Sequence, residues 1–153
     1  MPALINLSRK KAAKNPNVRW EGLNEFLSFA NLPSLSSAQR VACLAYGYSS
    51  HIEMAGHHDY FSATPQPDYP EVISALRAIG AIEQASVLTA ALDAVQAASA
   101  RAPEHYSNRF LAGVEFADLT EIDSVFERCT RSVRDCLMDY VEKHESEFIE
   151  WKP

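Results

Sequence analysis

The sequence predicts an all-α protein, a single compact domain of about five to seven helices, and three observations lead there. Alanine is abundant while glycine occurs only five times, a balance that favours helix over a strand-and-turn design. Apolar residues recur at three- and four-residue spacing in several segments, and no alternating strand pattern competes with them. At 153 residues, 47% of them apolar and 15 aromatic, the chain has one domain's length and enough apolar material to bury a core.

In chain order, residues 1–19 read as an irregular basic leader, because Pro16 and Asn17 break any helix there, and residues 20–153 as an acidic helical domain. "WEGLNEFLSFANL" gives a first short helix near 21–31, stopped by Pro33. Ser36 or Ser37 suits the N-cap of the next helix, in which Val41, Ala45, Tyr48 and Ile52 form one stripe and Gly56 ends the run. "HHDYFSATPQPDYP" reads as a turn of helix entering a loop. Pro70 fits the first turn of "PEVISALRAIG", and Gly80 fits its C′ position. The clearest helix is "AIEQASVLTAALDAVQAASARA", with Ile82, Ala85, Leu88, Leu92, Val95 and Ser99 on one face. Residues 102–118 read as a connector anchored by Tyr106, Phe110 and Phe116. Beyond it, Leu119, Ile122, Phe126, Cys129, Val133, Leu137, Tyr140 and His144 define one long helix, or two broken near Thr130. Thr120 with Asp123 resembles a capping box at its start. The expected core is Val41, Leu44, Tyr48, Ile52, Phe61, Leu76, Ile79, Leu88, Leu92, Phe126, Leu137 and Tyr140.

Charge is unevenly placed. Residues 1–20 carry Arg9, Lys10, Lys11, Lys14 and Arg19 without an acid, so the formal charge of −6 divides into +5 there and −11 in the rest. An acidic body argues against direct contact with nucleic acid, whose phosphates it would repel. No apolar run approaches the ~18 residues of a membrane span. The basic residues follow a very short apolar stretch, the reverse of a secretory signal, so a cytoplasmic location is expected. Cys43, Cys129 and Cys136 form no CxxC pair and read as buried free thiols.

The stretch "HIEMAGHHDYF" (residues 51–61) concentrates His51, His57 and His58 with Glu53 and Asp59. A metal reading would use the three imidazoles. His51-Ile52-Glu53 superficially matches the His-x-Glu of zinc deaminases, but no Pro-Cys-x-x-Cys follows. HExxH is absent, and on a helix His51 and Glu53 lie about 200° apart. GxSxG, GxxxxGK[ST] and GxGxxG are missing too, so no catalytic residue is assigned and no cofactor is implied. A structural corner is the favoured reading, with a metal-binding protein or metal-dependent enzyme using residues 51–59 as the alternative.

Three groups of residues carry a family resemblance. A tyrosine-bearing helix runs through a glycine turn into Tyr60 and Phe61. "ALRAIGA" (Ala75 to Ala81) precedes an alanine-rich helix. "EIDSVFERC" and "LMDYVEKHESEF" give an ending with Ile before Asp, then Phe, a Tyr-Val pair and a closing Glu-Phe. Across roughly residues 36–149 the chain resembles the bacterial DNA mimic protein family, most of whose members are uncharacterised. The family's turn reads approximately Asn-Gly-Gly-aromatic, a variable residue, Gln and two aromatics; here Met54 and Ala55 precede Gly56, His57, His58, Asp59, Tyr60 and Phe61. Gly56, His57, Asp59, Tyr60 and Phe61 thus form the motif turn, a structural element, with His57 at an aromatic position and expected to be a buried, neutral, hydrogen-bonded imidazole.

The resemblance implies an α-helical protein without cofactor, able to dimerise, that presents carboxylates to a basic protein such as a DNA-binding protein. A toxin neutralised by an acidic antagonist fits the same electrostatics. Asp118, Glu121, Asp123, Glu142, Glu145, Glu147 and Glu150 are the candidate partner-binding face. Residues 115–150 hold 11 acids against four bases, roughly one net charge per 7–8 Å of helix. Duplex DNA carries one per ~1.7 Å, so acids from several elements must converge. Paired helix faces such as Glu127–Arg131 and Arg131–Asp135 are the plainer reading, and a homodimeric scaffold is a further alternative.

Overall fold

A computed structural model of the protein describes residues 2–153. The chain opens with strand β1 (Ile5–Ser8), and Ser8 caps helix α1 (Arg9–Ala12) by accepting the Lys11 N–H. Helix α2 (Val18–Phe29) and a 3-10 turn at Leu32–Ser34 lead to the long helix α3 (Ser37–Ser62). Ser36 starts α3: its hydroxyl accepts the Gln39 N–H, while the Gln39 side chain accepts the Ser36 N–H. Such a reciprocal cap is worth about 1 kcal/mol. The Gln39 amide nitrogen also donates to the carbonyls of Ala3 and Glu147, at 2.9 and 2.7 Å, which ties both ends of the chain to this point.

Helix α4 (Tyr69–Ala78) begins at its cap Asp68 with Pro70 in the first turn. It ends in a Schellman motif, in which Gly80, at φ 87°, donates to the Arg77 carbonyl and Ala81 to that of Leu76. Helices α5 (Ile82–Arg101), α6 (Arg109–Phe116), α7 (Thr120–Glu127), α8 (Val133–Lys143) and α9 (Glu145–Phe148) follow, and strand β2 (Ile149–Lys152) closes the chain. The strands β1 and β2 pair in parallel, Ile5 opposite Ile149 through Ser8 opposite Lys152. Helix α3 is the spine, with α2, α4, α6, α7, α8 and α9 resting on it, and α5 packs on α4, α6 and α7. Tyr48, Phe61, Leu76, Leu88, Leu137 and Phe148 are enclosed at this centre. Each such side chain stabilises the fold by roughly 1.5–3 kcal/mol on burial.

The helical class and most helix ends agree with the sequence reading, but several expectations are corrected. Nine α-helices, not five to seven, lie among the described residues, the excess being the single turns α1 and α9. The segment read as an irregular leader contains β1 and α1 and is held against α2. A Cβ on Gly22 would stand 2.9 Å from Ile5 Cγ2 and 3.0 Å from Leu7 Cδ2, so only a glycine admits the strand this closely. The connector 102–118 contains α6. Asn108 caps it, and the Arg109 guanidinium takes the carbonyls of Ser99, Ala102 and Pro103 at the end of α5. At Gly113 a Cβ would run into the Val95 carbonyl and sit 2.9 Å from Ser99 Cβ, so α6 and α5 touch backbone to backbone.

The last segment divides near Thr130 into α7 and α8. Thr120 is not a cap; Asp118 accepts its N–H at 3.1 Å. Among the expected core, Val41, Leu44, Leu92, Phe126 and Tyr140 are only half-buried; on the expected face of α5, Ala85, Leu88 and Val95 are buried, but Ile82, at the start of the helix, is 57% exposed. All three thiols are free, yet only Cys136 is buried. Among the described residues no helix is long and apolar enough to cross a membrane.

Candidate functional site

The histidine-rich stretch sits at a bend in α3. Gly56 has φ 77° and ψ 179°, a conformation open only to glycine, and it breaks the helix into two segments that meet at an angle. The second segment therefore starts with unpaired N–H groups. Asp123, from α7, supplies the acceptor: its Oδ1 takes the His57 backbone N–H at 3.0 Å and lies 2.6 Å from His57 Nδ1. On the other side of the ring, Nε2 is 2.8 Å from the Tyr48 hydroxyl. The consistent arrangement is a neutral imidazole donating from Nδ1 to the carboxylate and accepting at Nε2 from the phenol. His57 is wholly enclosed. Burial pushes its pKa below the ordinary 6.5, outweighing the opposing pull of Asp123. Burial likewise raises Tyr48 above the usual phenol range.

Both ring nitrogens of His57 are thus occupied by protein groups. His51 pairs instead with Asp59, Nε2 to Oδ2 at 2.7 Å, against the edge of Tyr60, and His58 is exposed. The structure does not bring His51, His57 and His58 together. Among the described residues no three His, Cys, Asp or Glu side chains are placed to hold a metal ion. The remaining motif residues Tyr60 and Phe61 are buried and pack on Tyr69.

Beside this bend an open groove of about 620 Å³ runs between α3 and the α7–α8 connection. Glu53, Asp123 and Glu127 line it, and no lysine, arginine or histidine does. Glu53 accepts the Ser49 hydroxyl at 2.9 Å. Asp123 spends one oxygen on His57. Glu127 has no cation among the described residues, because Arg131 turns to Asp139 and not to Glu127 as the spacing suggested. Gln84, 3% exposed, also reaches the groove. Its amide nitrogen donates to the Arg131 carbonyl at 2.5 Å. Met54 and Phe126 supply apolar surface. Cys129 is there too, and burial, with Glu83 second, holds its thiol above the ordinary value, against use as a nucleophile.

The acids expected to form one face are mostly committed elsewhere. Asp118 binds the Thr120 N–H, which lowers its pKa. Glu121 pairs with Arg128 at 3.1 Å, Glu147 with His144 at 3.3 Å and Glu150 with Lys152 at 2.9 Å. Glu145 takes Arg19 at 2.8 Å and the Trp151 indole N–H at 2.7 Å. Glu142 is exposed and unpaired among the described residues. Of the seven, only Asp123 lines the groove, while Glu53, Glu127 and Gln84 join it from outside that set. The periodicity of α7 put Glu127 next to the expected face. Nothing local shows that α7 crosses α3 at Gly56.

A model of the family described as DMP19-like protein matches residues 33–144, which span α3 to α8 and so include every wall of the groove. No curated protein and no solved structure matches the chain.

Proposed function

The chain belongs to the DMP19-like protein family, the DNA mimic family that its motifs resemble, and from that premise we propose that it is a non-enzymatic interaction module. Its partner is a basic protein, of the DNA-binding or toxin-like kind, and the contact is made at the groove beside the α3 bend. One observation carries this reading: Glu53, Asp123 and Glu127 converge from two helices on a single groove in which no basic residue compensates them. An extended charge ladder is less well supported, since Glu121, Glu145 and Glu150 already hold cations of the same chain and Glu147 lies against the His144 ring nitrogen. Complementary charge would speed and orient association more than it would set final affinity.

The test is capture of partners from the native lysate at low salt, then titration of the recovered protein against the intact chain and a Glu53→Lys/Glu127→Lys variant. Binding should weaken steeply between 50 and about 300 mM salt, as screening of exposed charge requires, and drop about tenfold or more in the variant. Salt-insensitive binding, or equal binding by the variant, refutes the proposal.

A second reading, a homodimer, is favoured by a different feature. An apolar groove of about 540 Å³ lies between β1, α2 and the turn at Leu32–Ser34, with Phe29 85% exposed on its rim. Light scattering with a Phe29→Ser variant decides it, a monomer in both samples being the contrary result.

A further inference from the structure

We propose that the open edge of β1 receives an extended segment of a partner protein as a third strand, apolar where it crosses the groove at β1 and acidic where it passes α1. The inference uses none of the residues at the α3 bend. Its first support is a row of unused main-chain groups. A strand sends its N–H and C=O groups to both edges, and β1 is paired on one edge only, with β2. Among the described residues no other backbone or side-chain group bonds to the main chain of Ile5, Asn6 or Leu7. Such an edge is a template for a further strand. On β2, Glu150 and Lys152 pair at 2.9 Å and supply the charge that discourages strand addition. Ile5–Ser8 carries no charge.

The groove of about 540 Å³ is the second support. Ile5, Asn6 and Leu7 all line it. Successive side chains of a strand point to opposite faces, so the groove follows the edge of β1 and not one face. Gly22, Phe26 and Phe29, at helical spacing on α2, form its far wall. Apolar side chains of an added strand would cover Phe29, which is 85% exposed. The third support is charge complementarity. Ser8 passes directly into α1, so a segment paired along β1 reaches Lys10 and Lys11 within two or three residues, at roughly 3.3 Å each. Lys10, Lys11 and Lys14 are exposed and hold no carboxylate among the described residues. Arg9 lies over the Trp151 ring. Glu25 is the one charged residue on the groove wall, so the guest's carboxylates belong beyond Ser8 and its apolar residues in the groove. Antiparallel pairing, the more stable kind, puts those carboxylates N-terminal to the apolar residues.

The experiment titrates the isotope-labelled intact chain with the peptide Glu-Asp-Glu-Ser-Val-Thr-Leu-Thr-Val, its ends blocked. Saturable shifts are expected at the amides of Ile5, Asn6, Leu7, Lys10, Lys11 and Phe29. Two N-methylated peptides carry the methyl groups on alternate residues of the apolar half. One should lose saturation, because its methyl groups replace the donors that face β1, and the other should bind within about threefold of the parent. Placing the acids after the apolar half, or replacing them with Gln and Asn, should weaken binding about fivefold or more. Lys10→Gln with Lys11→Gln and Lys14→Gln should weaken it about tenfold, and Phe29→Ser about fivefold. Arg77→Gln with Arg101→Gln and Lys143→Gln removes the same charge elsewhere and should change it less than about twofold. Shifts that map away from β1, equal binding by the two methylated peptides, or an equal loss in the two triple variants overturn the proposal. So does an unsaturated peptide when vesicles of phosphatidylcholine with phosphatidylserine shift the same amides, which would make the surface a lipid contact. Light scattering separates the inference from the homodimer reading of the same groove. A dimer that the peptide fails to dissociate overturns the third strand, whereas a monomer that the peptide saturates supports it and removes the homodimer.

Discussion

Replacing Asp123 tests whether the carboxylate is a structural latch before it is anything else. Asp123→Ala removes the acceptor for two donors of His57, the backbone N–H at 3.0 Å and Nδ1 at 2.6 Å. An orphaned buried donor costs about 1–3 kcal/mol, and a bond to a charged acceptor lies towards the upper end. Two of them would give about 2–6 kcal/mol. Two facts reduce that sum. The Asp123 side chain is 36% exposed, so part of its charge is already solvated, and the adjoining groove lets water reach the vacated space. About 2–3 kcal/mol remains, a fall in Tm of about 4–12 °C for a domain of this size. Asp123→Asn keeps an oxygen in place and should cost about 1 kcal/mol. Glu127→Ala, one turn further along α7 and exposed, should stay within about 0.5 kcal/mol. Urea unfolding followed by far-UV circular dichroism at pH 7.5, with an unchanged m value, measures all three. In a His57→Phe background the side-chain bond is already gone, so Asp123→Ala should cost only about 1 kcal/mol. If Asp123→Ala costs no more than Glu127→Ala, or the same with Phe at position 57, the latch does not exist.

Three further outcomes follow from the same geometry. Gly56→Ala should destabilise by about 2–4 kcal/mol, because the backbone conformation excludes a side chain and its Cβ would collide with Asp123; a loss under about 1 kcal/mol in the same urea assay contradicts it. Gly113→Ala should cost about 1–3 kcal/mol by overpacking against the Val95 carbonyl, and calorimetry showing an unchanged Tm would mean that α5 and α6 do not meet there. Because the folded pKa of His57 lies below 6.5, the unfolded chain binds the proton first as pH falls. This contribution to stability is complete above about pH 6.5 and is lost as pH drops from there to the folded pKa. Urea midpoints from pH 7.5 to 5 should show that loss and should show less of it in His57→Phe; an equal loss in both chains refutes it.

What was legible from the chain alone was local. Ser36, Asp68 with Pro70, and Gly80 declare helix ends through bonds made within three or four residues, so turn chemistry reveals them. The burial of His57 could be anticipated from its position among aromatics. Its partner could not, since Asp123 lies 66 positions away and offered a local alternative, the pair with Thr120. The sheet escaped for a related reason. Both "INLS" and "IEWK" alternate, but over four residues, and each strand's only neighbour is at the other end of the chain. Helix α6 looked like connector because its eight residues depend on Asn108, Arg109 and the absence of a Cβ at Gly113 rather than on a long stripe.

Charge illustrates the same limit. Along the sequence a +5 leader precedes a −11 body, which suggests a strongly acidic surface with a basic tail hanging from it. In space the two are not separate. Arg19 binds Glu145, and the guanidinium groups of Arg9 and Arg19 lie 5.3 and 5.2 Å from the Trp151 ring centre, so β1 and the basic residues after it lie against the acidic C-terminal end. The β1–β2 sheet falls outside the family match at residues 33–144, whereas the groove falls inside it. Cations from the terminal additions therefore neutralise acids at one end of the molecule and leave Glu53, Asp123 and Glu127 uncompensated at the α3 bend. Among the described residues Arg or Lys pairs with only Glu71, Glu121, Asp139, Glu145 and Glu150, so the local field depends on where the remaining carboxylates converge and not on the total along the chain.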